Sequence, residues 1–348
     1  MVRKMAFGAA CLALGSVGLT LTSAQGTRPG PVASAKPAMP ATVTVDRTIL
    51  HVQVILDHLG FSPGVLDGKP GKSLTAALKG FQEQRGLPRT GTADTATLRA
   101  LYPYRTLRPT RTLALTDAVL AGPYVNPLPK DPAEQAKLPS LSYATPVEKL
   151  AEMFHTTPAV LTALNPPGTK LKAGAQIVFP NALPSSRAYD AKLPDLWRQT
   201  LSDLNVSADQ PQGAKIVVDK SDQVLRVLDK NGKLIAQFMA TMGSSHDPLP
   251  IGNWKVQGAS YNPKFHFNPD LFWDAKAGAE KAMLPPGPNG PVGVVWLDLS
   301  KPHYGIHGTP NPETIGRAES HGCIRLTNWD VARLALMVKP GTPAEFRA

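Results

Sequence analysis

Hydrophobic and polar positions along the chain fall into blocks with different periods. Residues 5–21 form one apolar or small run behind Arg3 and Lys4, and Thr22-Ser23-Ala24 follow with small side chains. This is the layout of a secretory signal peptide over 1–24, and glycines and serines break the run too often for a membrane span. Residues 25–45 are rich in Pro, Ala and Gly and predict a linker. Helical spacing then takes over. Ile49, Val52, Leu56 and Leu59 share one face, with Gly60 placed to cap, and Leu74, Ala77, Leu78 and Phe81 share another. A third short helix ends at Leu101, so the spacing predicts a small three-helix unit over 46–102.

Residues 103–140 read as a second linker. Within 141–181, Thr145-Pro146-Val147-Glu148 is a capping box with proline at the first helical position. A second helix starts at Thr157-Pro158 and runs to Leu164, Asn165-Pro166 stops it, and "AGAQIVFP" reads as a strand. Residues 182–212 predict a third linker. From 213 to 348 a period of two dominates. "AKIVVD" alternates, "QVLRVLDKNGKLIAQFM" reads as two strands around Asn231-Gly232, and "VGVVWLDLS" (292–300) is a buried-strand candidate. A last helix runs from Asn328 to about Val338, capped by Thr327, with Val331, Leu334 and Val338 as its apolar face. The pattern predicts a multidomain α+β chain, helical first, mixed in the middle and mostly β at the end.

Charge and cysteine usage narrow this picture. The formal charge is +11, and losing Arg3 and Lys4 with a leader leaves about +9, which suits an anionic envelope surface. The positive charges are scattered, with no dense tract, so nucleic acid is not an expected partner. No later run approaches the length of a membrane span, so no stable insertion is expected after leader removal. Lipidation of Cys11 needs a larger aliphatic residue where Gly8 stands. Removing the leader leaves Cys323 as the one cysteine, either an intermolecular bridge or a reactive thiol.

"ESHGCIRLTN" (319–328) favours the reactive thiol. If 320–326 is extended, Ile324 and Leu326 enter a core while His321, Cys323 and Arg325 face a cleft. A free thiol is only a few per cent ionised at neutral pH, and an imidazole and a cation beside it favour the thiolate. Gly322 lets a substrate carbonyl approach the backbone, where N–H groups can receive an oxyanion. These are the parts of acyl transfer through a thioester. Either His307, in "GIHGT", or His321 can serve as the base, and spacing does not choose. His246, His266 and His303 read as surface or core residues. A zinc site from His303, His307, His321 and Cys323 lacks a closely spaced cysteine pair, so no metal is expected.

Three resemblances join these residues. "GIHGTPNPETIGRAESHGCIRLTNWDV", "LPIGNW" and "PPGPNGPVGVVWLDL" resemble the L,D-transpeptidase catalytic domain across most of 213–348. "DG" at 67–68, "FQEQRGL" and "TGTADTATLRAL" resemble a peptidoglycan-binding type 1 domain. "LNPPGTKLKAGAQIVFP" is similar to the second half of a β-α-α-β LysM module, although the start at "ATPVEKL" departs from that pattern. The first resemblance implies a mostly β fold, no cofactor and peptidoglycan as substrate. It implies Cys323 as nucleophile, His307 as proton carrier and His321 as an assisting residue. It sets Gly308, Ser320, Gly322 and Arg325 near the substrate or oxyanion, while Asn328 also matches as a helix start.

The expectation is an exported, monomeric enzyme of the periplasm or cell envelope. It would join tetrapeptide stems through a cysteine acyl-enzyme, with loss of terminal D-alanine. With water as acceptor the same site is an L,D-carboxypeptidase. A cell-wall cysteine peptidase usually carries its histidine well after the cysteine, yet 25 residues follow Cys323 and none is His. A lapsed binding protein would not need His307, His321, Gly322 and Cys323 together.

Overall fold

The computed structural model describes residues 43–348 apart from 274 and 277. The expected signal peptide, Cys11 and nearly all of the first linker lie outside the described residues. The first module comprises α1 (Arg47–His58), β1 (Phe61–Ser62), α2 (Lys72–Gln84) and α3 (Thr95–Leu101). Asp46 starts α1, its carboxylate accepting the N–H groups of Thr48 and Ile49 at 2.7 and 3.1 Å. Ile55, Leu56, Phe61, Leu78, Phe81 and Leu101 form the local core. Leu50 and Val54 of α1 are also buried, against Val160 and Leu164 further along the chain, while Ile49 and Val52 are only half-buried. A one-face helix was expected. Here α1 lies between two neighbours and buries a face toward each.

The middle module contains β2 (Thr110–Ala114), α4 (Asp117–Leu120), α5 (Pro132–Gln135), α6 (Pro146–Met153), α7 (Pro158–Ala163) and β3 (Gln176–Pro180). β2 pairs antiparallel with β3, from Thr110 opposite Pro180 to Ala114 opposite Gln176. The expected linker at 103–140 therefore supplies a strand and two short helices. "TRTLA" has one large apolar side chain, Leu113, so no period registers there. Thr145 caps α6 with Pro146 behind it, and the Glu148 carboxylate accepts the Ala144 N–H at 2.5 Å. The Asn165 amide binds the Leu161 carbonyl and both backbone groups of Val178, tying the end of α7 to β3. Phe154 stacks on Phe179 within this core. The third expected linker, 182–212, carries α8 (Asp195–Asp203), whose Trp197 and Leu201 lie fully buried in the next module's core. Both linker expectations fail for one reason: a segment too poor in apolar residues to build a core can still fill a neighbour's.

The C-terminal module holds β4 (Lys215–Asp219), β5 (Val224–Leu228), β6 (Leu234–Met239), β7 (Thr241–Met242), β8 (Gly252–Tyr261), β9 (Phe265–Phe267), β10 (Ala282–Leu284), β11 (Val295–Leu299), β12 (Gly305–His307), β13 (Ile324–Arg325), α9 (Asn328–Met337) and β14 (Pro343–Arg347). One sheet runs in the order β1-β6-β5-β4-β14-β8-β11-β12-β13-β7, and β9 and β10 pair separately as a flap. β5 and β6 form the expected hairpin. The turn is longer than the Asn231-Gly232 signal predicts, because the Asp229 carboxylate gathers the N–H groups of Asn231 and Lys233. β1 of the first module extends the sheet in parallel with β6.

α9 shows how the modules lock together. Val331 and Leu334 are buried as expected, but so are Asn328, Asp330 and Arg333. Arg333 donates two bonds to the Asp57 carboxylate of α1, at 2.8 and 2.9 Å. Ser62 donates to Asp330 at 2.9 Å, and Asn328 donates to Glu152 of α6 at 2.8 Å. His155 lies 3.0 Å from Asp57 and stacks on Trp329. Burial pushes the Asp57 carboxyl up. The charge of Arg333 and the contact with His155 outweigh this and hold it well below the usual carboxylate range.

Breaking this pair leaves a buried charge without its partner. We expect Arg333→Ala to lose about 3–5 kcal/mol in urea unfolding at neutral pH. Because the folded Asp57 value is depressed, its share of stability is present above the unfolded value, about 3.9, and fades as pH falls below it. Asp57→Asn should flatten that acid limb, which denaturation at a series of pH values measures.

Candidate active site

The site forms where β12 runs parallel to β13. Pairing sets Ile306 beside Ile324 in the core and His307 beside Arg325 on the opposite face. On the other flank β11 puts Trp296 opposite His307, with ring centroids 5.5 Å apart and nearly parallel.

The extended run expected at 320–326 shrinks to the two residues of β13. Residues before it turn sharply. Gly322 has φ +91°, and a Cβ there would fall 2.7 Å from the Tyr304 ring, so a side chain is excluded on both counts. The facing nevertheless alternates: Ile324 and Leu326 are fully buried, while His321, Cys323 and Arg325 line one cleft with His307.

Three residues expected at the substrate or oxyanion do not line that cleft. Ser320 is buried, accepting the Gly243 N–H at 2.6 Å and donating to the Cys323 carbonyl at 2.7 Å. Its hydroxyl is consumed in holding the loop. Gly308 sits behind His307, and its carbonyl accepts from His307 Nδ1 at 2.7 Å. Gly322 is likewise buried, beneath Tyr304.

The cleft has a volume of about 610 Å³. Its walls include Trp296 and Tyr304, the flap residues Phe265 and Phe267, and Phe272 beyond them. Lys130, Pro132 and Gln135, from the segment expected to be a linker, complete it. His321 meets Phe272 edge-on at 5.1 Å and lies 5.9 Å from Trp273. His303 and His266, expected as surface or core residues, both line the cleft, and the His303 carbonyl accepts from the thiol at 3.8 Å. His246 instead stacks on Trp273. Among the described residues no group of three His, Cys, Asp or Glu side chains is arranged to hold a metal ion. The aromatic walls went unselected in the sequence, although "FHFNPDLFW" (265–273) is dense enough in rings to have marked them.

Desolvation governs the electrostatics here. Burial, reinforced by the charge of Arg325 and opposed by the bond to Gly308, lowers the His307 pKa to about 4. The imidazole is thus neutral at neutral pH. A carbonyl only accepts, so Nδ1 carries the proton and Nε2 keeps its lone pair. Burial pushes the Cys323 thiol up, against the Gly305 N–H and the Arg325 charge, which pull it down. The sequence pointed toward a thiolate because neighbours are visible in it and burial is not. At rest the cleft thus holds a protonated thiol and a neutral imidazole.

This balance has a measurable sign. Alkylation of Cys323 by iodoacetamide should accelerate with pH above the free-thiol value of about 8.5. Arg325→Gln removes a charge that favours the thiolate, so its midpoint should move to higher pH. An unchanged or lower midpoint would contradict the assignment.

Residues 213–345 match the family described as "L,D-transpeptidase catalytic domain", and residues 47–101 match "Putative peptidoglycan binding domain". The chain is 61% identical over 199 residues to "Putative L,D-transpeptidase YkuD" of Bacillus licheniformis, an alignment covering 56% of this chain and 90% of that protein. It is 26% identical over 201 residues to "Probable L,D-transpeptidase YbiS" of Escherichia coli K12, covering 57% of this chain and 56% of the relative. Among solved structures, the catalytic domain of an E. faecium L,D-transpeptidase acylated by ertapenem aligns at 23% identity. That alignment covers 39% of this chain and 98% of the other, with a TM-score of 0.31. The matched stretch 213–345 holds every cleft residue except Lys130, Pro132 and Gln135, and with nine-tenths of the Bacillus licheniformis relative aligned at that identity, the chain belongs to the L,D-transpeptidase family.

Proposed function

We propose that Cys323 and His307 carry the transpeptidation. His307 Nε2 takes the thiol proton as Sγ attacks the carbonyl between the third residue of a stem tetrapeptide and its terminal D-alanine. The carbon–nitrogen bond breaks, and the imidazolium returns the proton to the leaving amine. The thioester is then attacked by an amine from a neighbouring stem. That amine gives its proton to His307, and the cross-link leaves as the thiol is restored. The observation that carries this assignment is the bond from His307 Nδ1 to the Gly308 carbonyl, which fixes the tautomer with Nε2 as the base in the cleft that holds Cys323. His321 supports the flap through Phe272 and Trp273. Arg325 offers its charge to substrate carboxylates. Gly322 lets the backbone turn at φ +91° beneath the Tyr304 ring directly before the nucleophile.

The pairing of β2 with β3 around the consecutive helices α6 and α7, with the short α4 and α5 inserted after β2, supports a LysM-like identity for the middle module and contact with glycan strands. With the first module it would raise the local concentration of wall substrate. The leader over 1–24 supports export to the periplasm or envelope.

Intact mass after incubation with a carbapenem tests the nucleophile. An adduct is expected in the wild type and none in Cys323→Ala, and an adduct in both would remove Cys323 from the role. His307→Ala should slow acylation by about 10²–10⁴-fold. Digests of peptidoglycan treated with the enzyme should contain new stem-to-stem cross-links by mass spectrometry. Shortened stems alone would indicate water as the acceptor.

A further inference from the structure

The middle module reaches the back of the catalytic histidine through buried polar contacts. Glu152, on α6, is 6% exposed and accepts from Asn328 Nδ2 at 2.8 Å. Asn328 is fully buried and opens α9. Its Nδ2 also donates to the Pro288 carbonyl at 3.1 Å, and its Oδ1 accepts the Val294 N–H at 3.2 Å. The same Oδ1 presses on two glycines. A Cβ would lie 2.0 Å from it at Gly308 and 1.9 Å from it at Gly293. Gly308 is the residue whose carbonyl holds His307 Nδ1. The route from accessory module to imidazole therefore has few links: carboxylate, amide, glycine backbone, ring.

We propose that Glu152 is a positioning residue for the catalytic histidine, acting through Asn328 on the Gly293 and Gly308 backbone, so that docking of the middle module sets the geometry of the active site. The inference rests on His307 being the proton carrier.

The physical reason lies in the amide. An asparagine side chain has an accepting end and a donating end of similar shape. The Val294 N–H calls for oxygen on one side, and the Glu152 carboxylate, with the more distant Pro288 carbonyl, calls for nitrogen on the other. Without Glu152 the second constraint weakens, and the amide can rotate away from the glycines it supports. An error of about 1 Å in a proton-transfer group costs up to about 100-fold in rate.

Glu152 also reports on itself. The groups facing it are the Tyr143 phenol ahead of α6, the Glu148 carboxylate on α6 and the Asn328 amide on α9. Burial pushes its pKa up to about 7, with the nearby Tyr143 phenol and the Asn328 bond opposing. Above that value the carboxylate holds the amide firmly, and below it protonation weakens the acceptor. The acylation rate should therefore step upward with pH near 7, apart from any effect of His307, whose pKa lies far lower.

The test uses the full chain and its carbapenem acylation rate. Glu152→Ala should lower the maximal rate by about 10- to 100-fold while leaving half-saturation within about twofold. Glu152→Gln keeps a carbonyl acceptor for Asn328, so it should restore most of the rate and abolish the step near pH 7. A folded Glu152→Ala protein with wild-type kinetics overturns the proposal. Should that variant fail to fold, Glu152→Gln carries the test, and a pH profile identical to wild type overturns it. His307→Ala separates the two readings. Wild-type acylation in His307→Ala defeats the assignment of the base itself, whereas a slow His307→Ala beside a normal Glu152→Ala defeats only the role of Glu152.

Discussion

A buried charge pair, Asp57 with Arg333, constrains this molecule more than any apolar contact does. It joins the first described helix to the last, across 276 residues of sequence. Ions removed from water are tolerated only where their partners are held in place. The pair therefore demands that α1 and α9 stay docked, and His155 from the middle module completes the cluster against Trp329. Three modules meet at one helix. Asn328, Asp330 and Arg333 each take a partner from outside the C-terminal module, which makes α9 a shared core element.

The same helix follows directly after the loop that carries Cys323. Its cap, Thr327, and its first residue, Asn328, stand between the interdomain cluster and the catalytic cleft. The rigidity needed to bury the charges is thus available to the site. Inside the cleft, desolvation outweighs the Arg325 charge at the thiol and is reinforced by it at His307. Burial keeps the thiol protonated and the imidazole neutral, and one carbonyl bond fixes the tautomer that makes the imidazole a base.

Local chemistry was well marked in the sequence. Thr145 and Thr327 cap where their neighbours say they should, and Asn165 stops its helix. The β5–β6 hairpin forms around its turn signal. Period two in "CIRL" put Cys323 and Arg325 on the cleft face and the intervening apolar residues in the core. Signals of this kind depend on residues a few positions apart, so one strand or helix suffices to read them. Segments 103–140 and 182–212 were misread because their apolar residues are too few for a core of their own. Trp197 and Leu113 find partners far away in sequence.

The sequence alone marked the family and the local helix, cap and hairpin signals, because each is written in short motifs whose chemistry is local. Tertiary structure fixed the His307 tautomer in the cleft that Cys323 also lines, and it drew Ser320 and Gly308 back from that cleft into supporting bonds. It also decided that the polar residues of α9 are buried and that Lys130, Pro132 and Gln135 wall the cleft. Burial and long-range partners govern all of these, and both depend on how distant segments meet, a quantity that no spacing along a single chain encodes.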